Sequence, residues 1–149
     1  MSESVLKTLI VGAGRIGALA DNPQSQGIST HGHAVSILKE QFALMGFVES
    51  DAQNLKEARK RWGGEAYQNF SEFRALKQNP DLIVIASPDK LHLEHLKLAA
   101  ELKPRAILIE KPICLNTSDF QEEIFQKTKD VSVIVNYTRR YFSNYQSFL

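Results

Sequence analysis

Leu9-Ile10-Val11 runs directly into Gly12-Ala13-Gly14-Arg15-Ile16-Gly17, and no other stretch restricts the fold of this chain so strongly. Three glycines at that spacing after an apolar strand have separate structural duties. Gly12 permits a tight turn out of the strand, Gly14 leaves the backbone bare where a pyrophosphate would approach, and Gly17 lets the next helix pack closely on the strand. An anion is favoured there because the N–H groups opening a helix lack partners and the helix dipole is positive at that end. Ala13, Arg15 and Ile16 share the turn and are candidate dinucleotide contacts with the glycines.

A length of 149 residues fits one domain with one core. Lys and Arg number 18 against 17 Asp and Glu, a formal charge of +1, so no field draws the chain to nucleic acid or an acidic membrane, and a small-molecule partner is expected. Cys114 is the only cysteine, which excludes an internal disulfide framework and a cysteine-based metal cluster and fits a reducing compartment. The N-terminal stretch carries Glu3 and no long apolar run, so the chain reads as a soluble cytoplasmic protein with no membrane partner.

Helical signal after Gly17 fades within one turn, and Asp21-Asn22-Pro23-Gln24-Ser25-Gln26-Gly27 is turn chemistry. A polar loop from Asp21 to His33 is therefore expected, either lying over a bound ligand or mobile. Helical spacing resumes with Ala34, Ile37, Leu38 and Gln41, and Phe42 to Val48 reads as the second strand. Glu49 closes it. An acid at that position accepts hydrogen bonds from adenosine ribose hydroxyls, and it usually follows the glycines by about 20 residues. Here Glu49 lies 32 positions past Gly17, an excess close to the length of the polar loop. Its carboxylate would repel a 2′-phosphate and no arginine follows directly, which favours NAD over NADP.

Leu55, Ala58, Arg59 and Trp62 share a helical face that ends at Gly63-Gly64, and a short strand follows near Ala66 and Tyr67. Ser71 to Gln78 reads as a helix capped by Ser71 and ended by Asn79-Pro80. Asp81 to Ala86 is almost continuously apolar, as a parallel strand covered on both faces should be. After Ser87-Pro88 comes a helix with Leu91, His95, Leu98 and Leu102 as its apolar stripe, then a strand from Ala106 to Ile109 with Glu110-Lys111-Pro112 at its end. Ser118 and Gln121 predict a capped helix through Lys129, and Val131 to Val135 predicts the last strand.

This alternation predicts an α/β fold, a doubly wound parallel sheet. Ligands of such sheets collect beyond the carboxyl ends of the strands, where Gly12, Glu49, Ser87, Lys111 and Asn136 all fall. His31 and His33 sit at i, i+2 without an accompanying carboxylate or cysteine cluster, so no metal site is expected.

With Gly12-Ala13-Gly14-Arg15-Ile16-Gly17, Ala86-Ser87-Pro88 followed by His92, and Glu110-Lys111-Pro112 in this order, the chain resembles the Gfo/Idh/MocA oxidoreductases over nearly its whole length. Its Asp21 to His33 loop resembles a subset associated with cell-surface polysaccharide biosynthesis. The resemblance implies a Rossmann-like domain and NAD(P)-linked oxidation or reduction of a sugar, cyclitol or related hydroxyl compound. It implies that Lys111 lies near the nicotinamide and the reacting hydroxyl as the catalytic residue, where an ammonium can stabilise an alkoxide or relay a proton. Ser87, Pro88, His92, Glu110 and Asn136 join the cofactor-binding set on the same ground. Glu110 either positions Lys111 or faces solvent, and Pro112 is cis or trans; both remain open.

Asn136-Tyr137-Thr138-Arg139-Arg140-Tyr141 resembles the family's crossover to its substrate domain, so residues 1–136 are expected to form the dinucleotide-binding domain and 137–149 the start of that crossover. The family's α+β substrate domain has no counterpart in the chain. Two readings follow: the nucleotide-binding portion of a sugar oxidoreductase, whose substrate pocket another domain supplies, or a stand-alone NAD-binding or sensing module. Tyr141, Phe142, Tyr145 and Phe148 need a cover, and a homo-oligomer is one source of it.

Overall fold

The computed structural model describes residues 4–142. Six parallel strands form one sheet: β1 (Leu6–Val11), β2 (Phe42–Val48), β3 (Glu65–Tyr67), β4 (Leu82–Ile85), β5 (Ala106–Glu110) and β6 (Ser132–Asn136). Their order is β3-β2-β1-β4-β5-β6, so the sequence reverses direction between β1 and β4. This is the doubly wound arrangement expected, and its switch point puts the ends of β1 and β4 side by side, with Val11 opposite Ile85.

Alternation along the strands divides the core. Leu9, Val11, Ile83, Ile85, Ile107 and Ile109 face α3 (Phe70–Ala75), α4 (His92–Glu101) and α5 (Glu122–Thr128), while Ile10, Phe47 and Val84 pack with Val35, Leu55 and Ala58 of α1 (His31–Ile37) and α2 (Ala52–Trp62). The second layer stops short. Leu108 on β5 is half-buried and its register partner Ile134 on β6 is 42% exposed, although both lie in an interior apolar run.

Several local expectations need correction. The polar loop ends at Thr30, and His31 and His33 lie in the first turn of α1, because the Thr30 hydroxyl accepts from the His33 N–H and caps the helix early. α1 then stops at Ile37, short of Gln41, and Ile37 and Leu38 are exposed. α3 is capped by Asn69 rather than Ser71: its side chain accepts from the Glu72 N–H, and Glu72 reaches back to the Gln68 N–H. Ser118 lies in a 3-10 turn, Thr117–Asp119, and α5 begins at Glu122 with no side-chain cap from Gln121. On α4 the buried residues are His92, Leu96, Ala99 and Ala100, whereas Leu91, His95, Leu98 and Leu102 are only half-buried. The helix is turned about one position from expectation because His92 is drawn inward by two carbonyl partners. Tyr141 and Phe142 are exposed; Tyr145 and Phe148 lie outside the described residues.

Candidate functional site

The glycine turn takes three different surroundings. Gly12 has φ +94°, and a Cβ there would meet the Ser87 backbone nitrogen at 2.5 Å, so the turn closes against the end of β4. A Cβ on Gly17 would run into the Gly12 carbonyl oxygen, whereas one on Gly14 would meet nothing within 4 Å. Gly14 therefore borders open space while its two neighbours in the motif are packing positions. The helix that follows is a single π-turn, Arg15–Leu19, so its dipole is small and the attraction for an anion rests on unpaired N–H groups. Neither the Gly14 nor the Arg15 N–H has an acceptor among the described residues.

Glu49 comes to this turn from the end of β2. One carboxylate oxygen accepts from the Ala13 N–H at 2.9 Å and the other from the Asp51 N–H at 3.0 Å. Asp51 in turn caps α2 through the Gln53 and Asn54 N–H groups, so the helix start braces the acid. The turn and Glu49 open onto a cavity of about 640 Å³. Gly12, Gly14, Arg15, Ile16, Glu49, Ser87 and Pro88 line it, together with Phe70 from α3, Leu91 from the turn before α4, and His95 and Leu98 from α4. Three of the four residues that read as the core stripe of α4 thus line the cavity.

Ala13, Gly17 and His92 are buried behind that surface. His92 is only 1% exposed, and its ring nitrogens lie 2.6 Å from the Pro112 carbonyl oxygen and 2.9 Å from that of Ser87. Both carbonyls are acceptors, so whichever ring nitrogen carries a proton has one of them to donate to. His92 fastens the turn after β4 to the turn after β5 and lies behind the cavity surface rather than in its lining.

Glu110, Lys111 and Asn136 do not line the cavity; they form an adjoining rim at the ends of β5 and β6. Lys111 is exposed, and the Lys111–Pro112 peptide bond is cis. Glu110 faces neither solvent nor the Lys111 side chain. One of its oxygens accepts from Asn136 Nδ2 at 2.6 Å and pairs with His31 Nε2 at 2.9 Å. Burial would raise the Glu110 carboxyl, but the His31 and Asn136 bonds outweigh it and hold the group below the usual carboxylate range.

His31 was not legible as a site residue. It is brought there by the loop, which is pinned by its own hydrogen bonds. Asp21, 7% exposed, accepts from the Ser29 and Thr30 N–H groups and the Thr30 hydroxyl, and pairs with His33 Nδ1 at 2.9 Å. His33 stacks on Trp62, whose Nε1–H donates to the Ala18 carbonyl, and Arg61 donates to the Leu19 and Asp21 carbonyls. Among the described residues no three His, Cys, Asp or Glu side chains gather as metal ligands, and no helix is long and apolar enough to cross a membrane.

Residues 6–137 match the family described as an oxidoreductase family with an NAD-binding Rossmann fold, Gfo/Idh/MocA. No curated protein matches the chain. Among solved structures, the chain is similar to the WlbA dehydrogenase from Chromobacterium violaceum in complex with NADH and UDP-GlcNAcA, with TM-score 0.80 and 19% identity over 99% of this chain and 39% of that one. It is also similar to scyllo-inositol dehydrogenase from Lactobacillus casei with NAD(H) and scyllo-inositol bound, with TM-score 0.75 and 20% identity over 97% of this chain and 40% of that one. A probable dehydrogenase from Thermotoga maritima gives TM-score 0.73 and 26% identity, over 95% and 39%. The chain therefore spans about two fifths of the length of these structures. On its sequence match and its fold, the chain belongs to the Gfo/Idh/MocA oxidoreductases and comprises their NAD-binding Rossmann domain.

Proposed function

We propose that this chain is the nucleotide-binding portion of an NAD-dependent oxidoreductase that moves a hydride between the cofactor and a hydroxyl-bearing carbon of a sugar, cyclitol or sugar nucleotide. Residues 1–136 are the dinucleotide domain and 137–149 begin the crossover towards a substrate domain. The observation that carries the reading is the pairing of the open Gly14 backbone with the braced Glu49 carboxylate on one cavity wall.

A bound dinucleotide supplies the hydride acceptor or donor at its nicotinamide. The chain's residues supply the rest. Gly14 and Arg15 present N–H groups to the pyrophosphate, and Glu49 takes the two ribose hydroxyls while repelling a 2′-phosphate, so NAD is preferred to NADP. Lys111, exposed beyond β5, holds or receives the substrate hydroxyl proton. The His31–Glu110–Asn136 cluster fixes the backbone from which that lysine projects. The substrate class rests on the family and on the ligands of the WlbA and scyllo-inositol dehydrogenase structures. A cytoplasmic location and a homo-oligomer belong to the same proposal.

Calorimetric titration with NAD+, NADP+ and their reduced forms tests it. NAD+ and NADH should bind more tightly than their phosphorylated counterparts. Glu49→Ala should lose about tenfold or more in NAD+ affinity, the scale of a charge-assisted hydrogen-bond pair, and should narrow the preference against NADP+. No binding of any of the four would overturn the reading.

A further inference from the structure

Beyond the glycine turn and Glu49, the cavity takes walls from the start of α3 and from one face of α4. Phe70, Leu91 and Leu98 supply apolar surface there, beside polar side chains that include Asn69, Ser71 and Glu94, and the Phe70 and His95 rings lie 5.6 Å apart at 54°. His95 is the one imidazole that lines the cavity.

The tautomer of His95 follows from its neighbour. His95 Nδ1 lies 2.8 Å from the Ser87 hydroxyl oxygen. Ser87 is buried, and Nδ1 is the one acceptor for its hydroxyl proton among the described residues, so the pair is taken with the hydroxyl donating to Nδ1. Nδ1 is then the lone-pair nitrogen, and the ring proton sits on Nε2. That atom has no protein partner among the described residues, yet every fully buried side-chain polar atom described is satisfied. Nε2–H is therefore accessible, and the accessible side of this residue is the cavity wall. Burial also pushes the His95 imidazole below its ordinary range, which keeps the ring neutral with a single donor.

A dinucleotide with its pyrophosphate at Gly14 and its ribose at Glu49 places its base next along the cavity. We propose that His95 reads that base: Nε2–H donates to a ring nitrogen of the adenine, with Ser87 fixing the tautomer and Phe70 and Leu98 flanking the ring plane. This rests on the dinucleotide reading above and adds a specificity residue that the sequence had placed in the core stripe of α4.

Titration of the full chain and two variants with NAD+ tests the assignment. His95→Phe keeps an aromatic wall without the donor and should lose about fivefold to tenfold in NAD+ affinity, the range of one neutral hydrogen bond. His95→Gln restores an N–H donor and should stay within about twofold of the parent. In the parent chain labelled with nitrogen-15 at histidine, the His95 Nε2–H resonance should shift on saturation with NAD+, a signal that a merely structural ring would not give. If both variants bind NAD+ as the parent does, or His95→Gln is as weak as His95→Phe, or the resonance does not move, the assignment to His95 falls while the dinucleotide site stands. If the parent binds no NAD+, both fall together.

Discussion

At the scale of single residues, the glycine motif separates two packing positions from one that borders open space. Gly12→Ala would force a side chain into φ +94° and onto the Ser87 nitrogen, and should cost about 2 kcal/mol or more in urea unfolding. Gly14→Ala meets nothing within 4 Å and has an extended backbone, so its stability should stay within about 0.5 kcal/mol of the parent. Its NAD+ affinity should nevertheless drop by about tenfold or more, because the new methyl occupies the open approach. Equal loss of stability in the two variants would show that Gly14 is a packing position. The motif and Glu49 were legible because each is a residue type with one clear use at a strand end. His95 and His31 were not. His95 is bonded to a serine eight positions earlier on another element, and His31 to a glutamate 79 positions later, and no local pattern encodes either pair.

Elements tell a similar story. Strand positions were readable from apolar runs, since a strand covered on both faces needs them. Helix starts were less so, because a cap depends on which of several neighbouring Ser, Thr, Asn or Gln side chains meets a free N–H. Between β1 and α1 the polar composition pointed to a loop but not to its rigidity, which rests on one buried carboxylate. Burial would raise the Asp21 carboxyl, yet bonds from the Thr30 hydroxyl, the Ser29 N–H and His33 hold it below its ordinary value of 3.8. A carboxyl depressed in the folded state adds stability that is complete above the unfolded value and is lost as pH falls through the lower folded one. Asp21→Asn should therefore cost about 2–4 kcal/mol at pH 7, and the gap to the parent should close as the pH drops below 3.8. Urea titrations across that range read the gap directly. A gap that stays constant for as long as both proteins remain folded would mean that the charge contributes nothing and only the shape of the side chain matters.

For the molecule as a whole, five strand-end residues that looked equivalent in sequence divide into two places. Gly12, Glu49 and Ser87 line one cavity, whereas Lys111 and Asn136 stand on a rim over β5 and β6, beside the face where Ile134 is exposed. Sequence spacing reports that a residue ends a strand, not whether neighbouring elements roof it over. The cavity draws its walls from four separate segments between Gly12 and Leu98, so a ligand there ties β1, β2, α3 and α4 together. Binding energy should therefore come from the adenosine half of the cofactor. ADP-ribose should bind within about threefold of NAD+, a difference of roughly 0.7 kcal/mol. At one hundred times its dissociation constant, either ligand should stabilise the fold by about 2.7 kcal/mol and raise the unfolding temperature by about 5–10 °C. Nicotinamide mononucleotide at the same concentration should raise it by less than about 1 °C, because its ring would rest on the rim alone. An NAD+ affinity more than about tenfold above that of ADP-ribose would place the nicotinamide in a site this chain already completes, and Lys111 would then be roofed by residues of the chain itself.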